Sequence, residues 1–359
     1  MSTYRDMFFF CRSDFESELS SELYGLFQVN RMDADFTFEK GCGYVIAHIH
    51  LDDANRDLSF LSCRNLIFAR QVLGNGALIS DLPDTKRTEP VLKALKDVFS
   101  SSEPLYKHLF ISHPDTQKGK ELAKFCKKFE TPMQNGLKRL GLKKVFSRDD
   151  LPSVHVVFLD YRTAYVGLSF PEWSSEFADG IMRLKFPKDA PSRSTLKLEE
   201  AFHYFLPKEK YREFFRPTYQ AVDLGAAPGG WTYQFVREGV FVNAVDHGAM
   251  HPSLLASGLV EHLQEDAFNF DPVKAVDWLV CDIVDKPSRV TKMLVKWIKR
   301  RDCKWVICNL KLPMKKRYEE LLKCLQVIVS EGRIDSSQLL CKQLYHDREE
   351  VTLFVNLGR

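Results

Sequence analysis

A glycine-rich turn that follows a short apolar strand is the feature of this sequence that most clearly predicts chemistry. Residues 221–233 read AVDLGAAPGGWTY, which combines an apolar strand, a turn containing Gly225, Gly229 and Gly230, and the start of a helix. Glycines let a turn approach a ligand without clashes from a Cβ atom, and the helix N-terminus offers unpaired N–H groups to an anion. The segment predicts a site for a nucleotide cofactor.

Acidic residues at the ends of strands narrow the choice of cofactor. Asp246 ends the strand FVNAVD about twenty residues after Asp223, where an acid can bind the ribose hydroxyls of an adenosine. NAD-dependent dehydrogenases and S-adenosylmethionine (SAM) methyltransferases share this spacing. SAM is favoured because GAAPGG lacks the second glycine of G-x-G-x-x-G, and because carboxylates attract a cationic sulfonium and repel a pyrophosphate. The carboxylates concerned are Asp223, Asp246, Asp266 and Asp282.

Several short segments together carry a family resemblance. The run DLGAAPGGW, followed in order by CDIVDKP, ICNLKLP and REEVTL, closely resembles the FtsJ/RrmJ-like ribose 2′-O-methyltransferases, which carry a Lys-Asp-Lys-Glu tetrad. NLIFARQ and SRSTLKLEEAFHYF narrow the resemblance to the bacterial ribosomal RNA large subunit methyltransferase M family, over essentially the whole chain. The resemblance implies a THUMP-type RNA-binding region, then a Rossmann-like methyltransferase domain. The implied reaction is 2′-O-methylation of a cytidine in 23S rRNA, near the peptidyl transferase centre.

The resemblance also assigns the tetrad. It falls on Lys197 in STLKLEEA, Asp282 in VCDIV, Lys311 in CNLKLP and Glu350 in REEVTL, with Lys311 as the implied proton acceptor. Asp282 and Lys311 lie at or just beyond the C-terminal ends of predicted parallel strands, where ligands bind in such sheets. Glu349 is a rival for the last place, but strand alternation turns only one of the two toward the site, and a glutamate directly before valine favours Glu350.

The cofactor contacts implied by the same resemblance lie around the glycine-rich turn. They are Ser194, Gly225, Ala227, Pro228, Gly229, Gly230, Asp246, Asp266 and Asp282. Asp266 would accept a hydrogen bond from the adenine amino group, although an aspartate after a strand is as often a helix cap. Trp231 packs either beneath the cofactor loop or in the core. We expect no metal site, because the nine cysteines form no zinc motif and the pair His48 and His50 has no third ligand nearby.

The elements that must position these residues divide the chain into four parts. Residues 1–90 predict a small α+β unit, with strands MFFFCR and GYVIAHIH and a helix from DFESELSSELYGLF capped by Asp14. The resemblance implies that this unit is the ferredoxin-like part of the THUMP region. Residues 91–170 predict a second small α/β module, which the resemblance implies is a THUMP-type RNA-binding module, and residues 171–193, rich in proline and serine, predict a connector. In 194–359 strands alternate with helices, which predicts an α/β domain with a doubly wound, mostly parallel sheet.

The charge of the chain is unevenly distributed. The net charge is only +3, from 51 basic and 48 acidic residues. Residues 118–148 hold ten Lys or Arg and two acids, and residues 286–317 hold twelve and one, which leaves −16 on the remaining sequence. Each run could simply be a solvated helix face. Two such runs, one of which brackets Lys311, instead favour a surface that binds a polyanion, and the resemblance names 23S rRNA as that partner.

Composition excludes several other classes of protein. No charge-free apolar stretch approaches the roughly 18 residues of a membrane span, and acidic residues follow too closely behind the N-terminal apolar patch for a signal peptide. We therefore expect a cytoplasmic enzyme that acts as a monomer, without membrane contact. Alternatives are the same ribose chemistry on another RNA such as tRNA, and an RNA-binding protein with an inactive methyltransferase domain. The intact tetrad disfavours the second, and the GAAPGG loop disfavours a nicotinamide-dependent oxidoreductase.

Overall fold

The structure is a computed structural model that describes residues 4–50, 58–99 and 103–358. The chain forms two compact units, Met1–Ile181 and Met182–Arg359. The boundary between them falls inside 171–193, the stretch for which the sequence predicts a connector.

The first unit is an α+β unit built on a mainly antiparallel sheet. Its strands are β1 (Tyr4–Phe10), β2 (Ala34–Thr37), β3 (Tyr44–His50), β4 (Gln71–Ile79), β5 (Leu105–Tyr106), β6 (Leu109–Ser112), β7 (Lys143–Lys144), β8 (Ser153–Phe158) and β9 (Ala164–Ser169). Its helices are α1 (Glu16–Val29), α2 (Thr88–Val98), α3 (Gln117–Glu121) and α4 (Ala123–Arg139), with a 3₁₀ turn at Ser59–Leu61. Seven strands pair in the order β2-β3-β1-β4-β9-β8-β6, while β5 and β7 pair separately. Only the β6–β8 pair of the seven-stranded sheet is parallel.

Strand alternation explains how this sheet buries both of its faces. Phe8 and Phe10 pack with Ile46 and Tyr165 on one face, while α2 and α4 contribute apolar side chains such as Met133 to a separate core. The β4–β9 pair joins the strands of 1–90 to those of 91–170 in one sheet. The division of this unit near residue 90, and its THUMP character, stay predictions.

The predicted cap of the first helix is wrong. The N-cap of α1 is Phe15, and its side chain forms no capping hydrogen bond. Asp14 has a φ of 70°, and its N–H donates to Glu16 Oε1 at 3.2 Å. The buried Glu16 carboxylate also accepts from Gly41 N and Gly43 N, so this acid binds backbone donors around the start of the helix in place of Asp14.

The second unit contains the predicted doubly wound, mostly parallel sheet. Its strands are β10 (Gln220–Leu224), β11 (Phe241–Val245), β12 (Val260–Leu263), β13 (Trp278–Cys281), β14 (Trp305–Lys311), β15 (Leu339–Lys342) and β16 (Glu350–Asn356). Its helices are α5 (Thr195–Phe205), α6 (Gly230–Arg237), α7 (Pro252–Leu255), α8 (Pro287–Arg300) and α9 (Arg317–Gly332), with 3₁₀ turns at Lys208–Phe214 and Ser336–Gln338. The strand order is β12-β11-β10-β13-β14-β16-β15, and β16 runs antiparallel to both of its neighbours.

This topology creates one edge that is suited to a ligand. From β10 the chain moves outward to β11 and β12, and then returns to place β13 on the other side of β10. The strand order therefore reverses between β10 and β13, and ligands bind at the carboxyl ends of the strands at such a point. Trp278 anchors the sheet beneath it, where its ring packs against Phe202, Phe215 and Phe235. Across both units, none of the described helices is long and apolar enough to cross a membrane.

Candidate active site

The four residues of the predicted tetrad come from four separate elements that meet at this edge. Lys197 lies in the first turn of α5, Asp282 directly follows β13, Lys311 ends β14 and Glu350 begins β16. Because β14 and β16 are antiparallel, Lys311 and Glu350 are cross-strand partners. The sheet register therefore fixes two of the four positions.

The four side chains form a closed cluster of alternating charge. Lys197 Nζ lies 3.1 Å from Asp282 Oδ2 and 2.5 Å from Glu350 Oε1. Lys311 Nζ lies 3.1 Å from Asp282 Oδ1 and also contacts Glu350 Oε2. Each lysine thus contacts both acids, and each acid contacts both lysines. Glu350 is the most enclosed of the four, with only 5% of its side chain exposed.

This environment changes the acidity of one lysine in a chemically useful direction. Burial lowers the pKa of Lys311, and the Lys197 ammonium lowers it further, whereas the Asp282 carboxylate raises it and limits the drop. A lysine with a lowered pKa spends more time as a neutral amine near neutral pH. Lys311 is therefore suited to accept a proton.

Glu349, the rival of Glu350, points elsewhere. Its Oε2 pairs with Arg317 Nη2 at 2.6 Å, and its side chain is about half exposed. Its backbone oxygen accepts from Leu312 N at 2.7 Å. The geometry therefore brings Glu350, and not Glu349, to the two lysines.

The glycine-rich turn lies between β10 and α6 and is tightly enclosed. Gly225 has a φ of 78° and Gly229 has a φ of 110°, and residues other than glycine rarely adopt such positive φ values. A Cβ on Gly229 would lie 2.1 Å from Leu254 Cδ1, and one on Gly230 would lie 2.1 Å from Ser194 Oγ. Ser194 is the N-cap residue of α5, so the predicted cofactor residues Gly230 and Ser194 are brought together.

Asp246 supports the same turn from the neighbouring strand. It directly follows β11, and its carboxylate accepts from Ala227 N at 3.0 Å and from Gly248 N at 2.7 Å. Pro228, next in the turn, is exposed, and its carbonyl accepts from His251 N. The acid predicted to bind a ribose thus also fixes the turn predicted to hold the cofactor.

Asp266 lies beyond β12 at the same edge, but its carboxylate serves a local turn. It accepts from Phe268 N at 3.0 Å and from Asn269 Nδ2 at 2.8 Å. No helix begins at this turn, so Asp266 is not a helix cap, and its role in cofactor binding stays a prediction. Trp231 takes the structural alternative, because it is buried in the core and its Nε1 donates to Ser194 O.

Comparison with known proteins decides the family. A family model described as "Ribosomal RNA large subunit methyltransferase M, N-terminal" matches residues 86–170, and one described as "FtsJ-like methyltransferase" matches residues 190–345. "Ribosomal RNA large subunit methyltransferase M" of Shewanella sp. (strain MR-7) is 42% identical over 366 aligned positions, which cover 97% of each chain. The protein of the same name from Photorhabdus laumondii is 43% identical over 351 positions, 96% of this chain and 94% of that one.

The chain belongs to the ribosomal RNA large subunit methyltransferase M family. The resemblance inferred from the short segments is confirmed, as is the Rossmann-like α/β fold of the second unit.

Two polar residues behind the tetrad, Asn309 and Thr352, are not predicted by the motifs of the sequence. Asn309 Nδ2 donates to Asp282 Oδ1 at 3.2 Å, and Thr352 Oγ1 lies 2.8 Å from Asn309 Oδ1. Asn309 and Thr352 are cross-strand partners, and each lies two positions along its strand from a tetrad residue, Lys311 or Glu350. Residues two apart on a strand share a face, so strand alternation was the signal that could have identified both.

Proposed function

We propose that this chain catalyses SAM-dependent methylation of a ribose 2′-hydroxyl, on a cytidine of 23S rRNA. The observation that carries the proposal is Lys311, whose pKa is lowered and which lies between two carboxylates at the ligand-binding edge of a Rossmann-like sheet. The relatives' names support rRNA of the large subunit as the substrate class. The position on a cytidine follows from the family resemblance. Since ribosomal RNA is the substrate, we place the enzyme in the cytoplasm.

The residues around the turn fit SAM. Asp246 and Asp282 put carboxylates near the turn, which suits a cationic sulfonium, while Asp223 is buried and accepts a hydrogen bond from Thr232. The N-terminus of α6 has no side-chain cap, so its N–H groups remain for the carboxylate of the amino acid portion. Residues that would hold the cofactor are Ser194, Gly225, Ala227, Pro228, Gly229, Gly230, Asp246, Asp266 and Asp282. When bound, SAM supplies an electrophilic methyl group.

The tetrad would then act on the ribose hydroxyl. A neutral Lys311 Nζ takes the 2′-hydroxyl proton as the oxygen becomes nucleophilic. Asp282 and Glu350 orient this amine through the contacts described above, and they stabilise the ammonium that forms. Lys197 contacts the same two acids, and its positive charge limits how far they raise the pKa of Lys311. Lys311 can therefore still lose its own proton near neutral pH.

The two basic stretches present exposed charge. In the stretch 118–148 every Lys and Arg side chain is exposed, while α4 turns Cys126, Phe129, Met133 and Leu137 toward the core. In the stretch 286–317 most are exposed as well. This segregation of charge from apolar residues supports both stretches as surfaces for the RNA backbone.

The direction of α8 indicates which part of the stretch 286–317 lies near the tetrad. Because α8 joins two parallel neighbours, β13 and β14, it runs antiparallel to them. Its start lies at the edge of Asp282, and its end lies at the opposite edge, where Val276 N donates to Asp302 O. Lys315 and Lys316 lie four and five positions after Lys311, between the end of β14 and the start of α9, and so lie at the active edge. We therefore propose that Lys315 and Lys316, and not the basic residues at the end of α8, bind the RNA close to the reacting ribose.

Reversal of charge at the active edge should weaken RNA binding. We expect Lys315→Glu combined with Lys316→Glu to lower the affinity for rRNA and to reduce the slope of log K against log salt by about 1.5, since each lost phosphate contact removes about 0.7 to 0.9. Filter binding at a series of salt concentrations measures both quantities. The matched control is Lys299→Glu with Arg301→Glu, which changes the net charge equally at the opposite edge. Equal losses for both double variants would contradict a localised RNA site.

The proposed reaction is tested with RNA from a strain that lacks this gene. We expect tritium transfer from labelled SAM to 23S rRNA at a single cytidine, and resistance of the following phosphodiester to alkaline cleavage, since a 2′-O-methyl group blocks it. Transfer to tRNA only would support the alternative substrate. Absence of transfer with retained RNA binding would indicate an inactive methyltransferase domain, and label on a base would refute the ribose mechanism.

A further inference from the structure

A chain of hydrogen bonds continues from the tetrad into the core behind it. Asn309 binds Asp282, and the Thr352 hydroxyl binds Asn309 Oδ1 as described above. The same hydroxyl lies 2.9 Å from Oδ2 of Asp347, a residue in the turn between β15 and β16. Asn309, Thr352 and Asp347 are all fully buried. The mechanism above assigns no role to this buried acid.

A count of protons along the chain favours a protonated Asp347. The Thr352 hydroxyl has one proton but approaches two oxygen atoms, Asn309 Oδ1 and Asp347 Oδ2. The Asn309 amide cannot be reversed, because its carbonyl oxygen would then face the Asp282 carboxylate. Asn309 Oδ1 can therefore only accept, and this contact gives it a donor only when it takes the Thr352 proton. The contact between Thr352 and Asp347 then needs a proton on Asp347.

The surroundings of Asp347 Oδ1 agree with a neutral acid. Oδ2 accepts from Leu344 N at 3.0 Å, and Oδ1 makes no hydrogen bond to any described residue. An ionised carboxylate carries half its charge on each oxygen, so it would leave a buried partial charge unpaired on Oδ1. A protonated acid leaves only a neutral carbonyl oxygen there, which costs less.

Charged groups on the neighbouring elements act on Asp347 in both directions. The pKa of Asp347 is raised to about 7, by burial first and then by the Glu200 carboxylate of α5, while the contacts with Leu344 N and the Thr352 hydroxyl and the Lys197 ammonium lower it. Glu200 accepts from His346 N and Nδ1, beside Asp347. Lys342, the cross-strand partner of Thr352, places its Nζ over the Tyr204 ring.

We propose that Asp347 is a positioning residue of the tetrad: as a neutral acid it donates to Thr352, which fixes the Asn309 amide that holds Asp282 beside Lys311. The inference rests on the proposed function of the tetrad. An ionised Asp347 would attract the Thr352 proton, because a charged acceptor binds it more strongly than an amide oxygen does. Asn309 Oδ1 would then lose the hydrogen bond from Thr352, and the Asn309 amide would position Asp282 less firmly.

Infrared spectroscopy of the full-length protein tests the protonation. We expect the difference spectrum of wild type minus Asp347→Asn to contain the carbonyl band of a protonated carboxylic acid, which fades as the pH rises through about 7. Burial also raises the pKa of Asp223 to about 7, but that residue is present in both proteins and cancels in the difference. Absence of the band at pH 6 would overturn the proposal.

The pair Thr352→Val and Thr352→Ser tests the positioning. Valine keeps the shape of threonine but removes the hydroxyl, and serine keeps the hydroxyl. We expect Thr352→Val to lower kcat for methyl transfer by about tenfold or more, because small misplacements of reacting groups are costly. KM for SAM should stay within about threefold. Thr352→Ser should stay near the wild-type kcat, and equal rates for the two variants would overturn the proposal.

A measurement without RNA separates this inference from the proposed function. The pH dependence of Lys311 labelling by an amine-reactive reagent reports the pKa of Lys311. Since Asp282 raises that pKa, we expect it to fall in Thr352→Val and to be unchanged in Thr352→Ser. A wild-type protein that methylates no RNA would refute the proposed function, while the labelling and the infrared band would still decide the role of Asp347.

Discussion

Replacement of Lys311 by alanine should lower kcat for methyl transfer by about 10²- to 10⁴-fold, the range that a positioned general base contributes. The reason lies in the chemistry of the substrate. A ribose 2′-hydroxyl attacks poorly while it keeps its proton, and Lys311 is the group in the cluster whose pKa is lowered toward a usable value. Single-turnover transfer of tritiated methyl groups from SAM to rRNA measures the chemical step directly.

The Lys311→Arg variant distinguishes loss of the proton acceptor from loss of the positive charge. Arginine keeps a cation between Asp282 and Glu350, but its guanidinium stays protonated and cannot accept a proton. We therefore expect Lys311→Arg to be nearly as slow as Lys311→Ala. In the wild type kcat should rise with pH toward the lowered pKa of Lys311, since the neutral amine is the active form, and neither variant should show this rise.

The controls for Lys311 use the same assays. Lys323→Ala, at an exposed position on α9, should leave kcat unchanged. SAM affinity should stay within several-fold in all three variants, because the glycine-rich turn and Asp246 form no hydrogen bond to Lys311 among the described residues, and Asp282 keeps its contacts with Lys197 and Asn309. A Lys311→Arg enzyme that kept a tenth or more of the wild-type rate would exclude Lys311 as the base.

Parts of this fold and site follow directly from local sequence. Apolar strands such as WLVC and VICNL alternate with helices, so the parallel sheet and its ligand-binding edge are predictable from pattern alone. The tetrad is predictable because its residues stand in four distinctive segments. Asn309 and Thr352 required only the further step of following strand alternation from Lys311 and Glu350.

Other parts depend on contacts that local sequence does not reveal. The pattern of β4 contains Gly74, Asn75 and Gly76, which indicates a turn, yet the strand continues through irregular pairings with β1 and β9. The Tyr165 hydroxyl occupies the space that a side chain at Gly76 would need. β12 is short and half polar, so its sequence VEHL gives no clear strand signal.

The contacts of the buried acids behind the tetrad could not be predicted from local sequence either. Glu200 on α5 binds backbone N–H groups of Tyr345 and His346, far along the chain, and so sets the turn that carries Asp347. Glu200 stands within the segment SRSTLKLEEAFHYF and Asp347 directly precedes REEVTL, but nothing in either segment distinguishes these two acids from ordinary surface residues. Their role is visible only where the helix, the turn and β16 come together.

Gly229→Ala should produce the largest loss of cofactor binding. Gly229 is the N-cap of α6 with a φ of 110°, and an added Cβ would lie 2.1 Å from Leu254 Cδ1 and 3.0 Å from Met250 Cε. The backbone strain costs about 1–2 kcal/mol, and overpacking costs about 1–3 kcal/mol more. Relief of the clash must move the buried Leu254 and Met250 side chains or displace the turn. We expect SAM affinity to fall by about 100-fold, which titration calorimetry measures.

Gly239→Ala provides a matched control just beyond the other end of the same helix. Gly239 also has a positive φ, of 77°, but an added Cβ would meet no atom within 4 Å. Gly239→Ala therefore carries backbone strain without the clash, and should lose about 1 kcal/mol of stability with unchanged SAM affinity. The difference between the two variants measures what close packing of the turn contributes to the cofactor site. If both bound SAM equally well, the glycine-rich turn would not be the cofactor cradle, because its shape would then be irrelevant to binding.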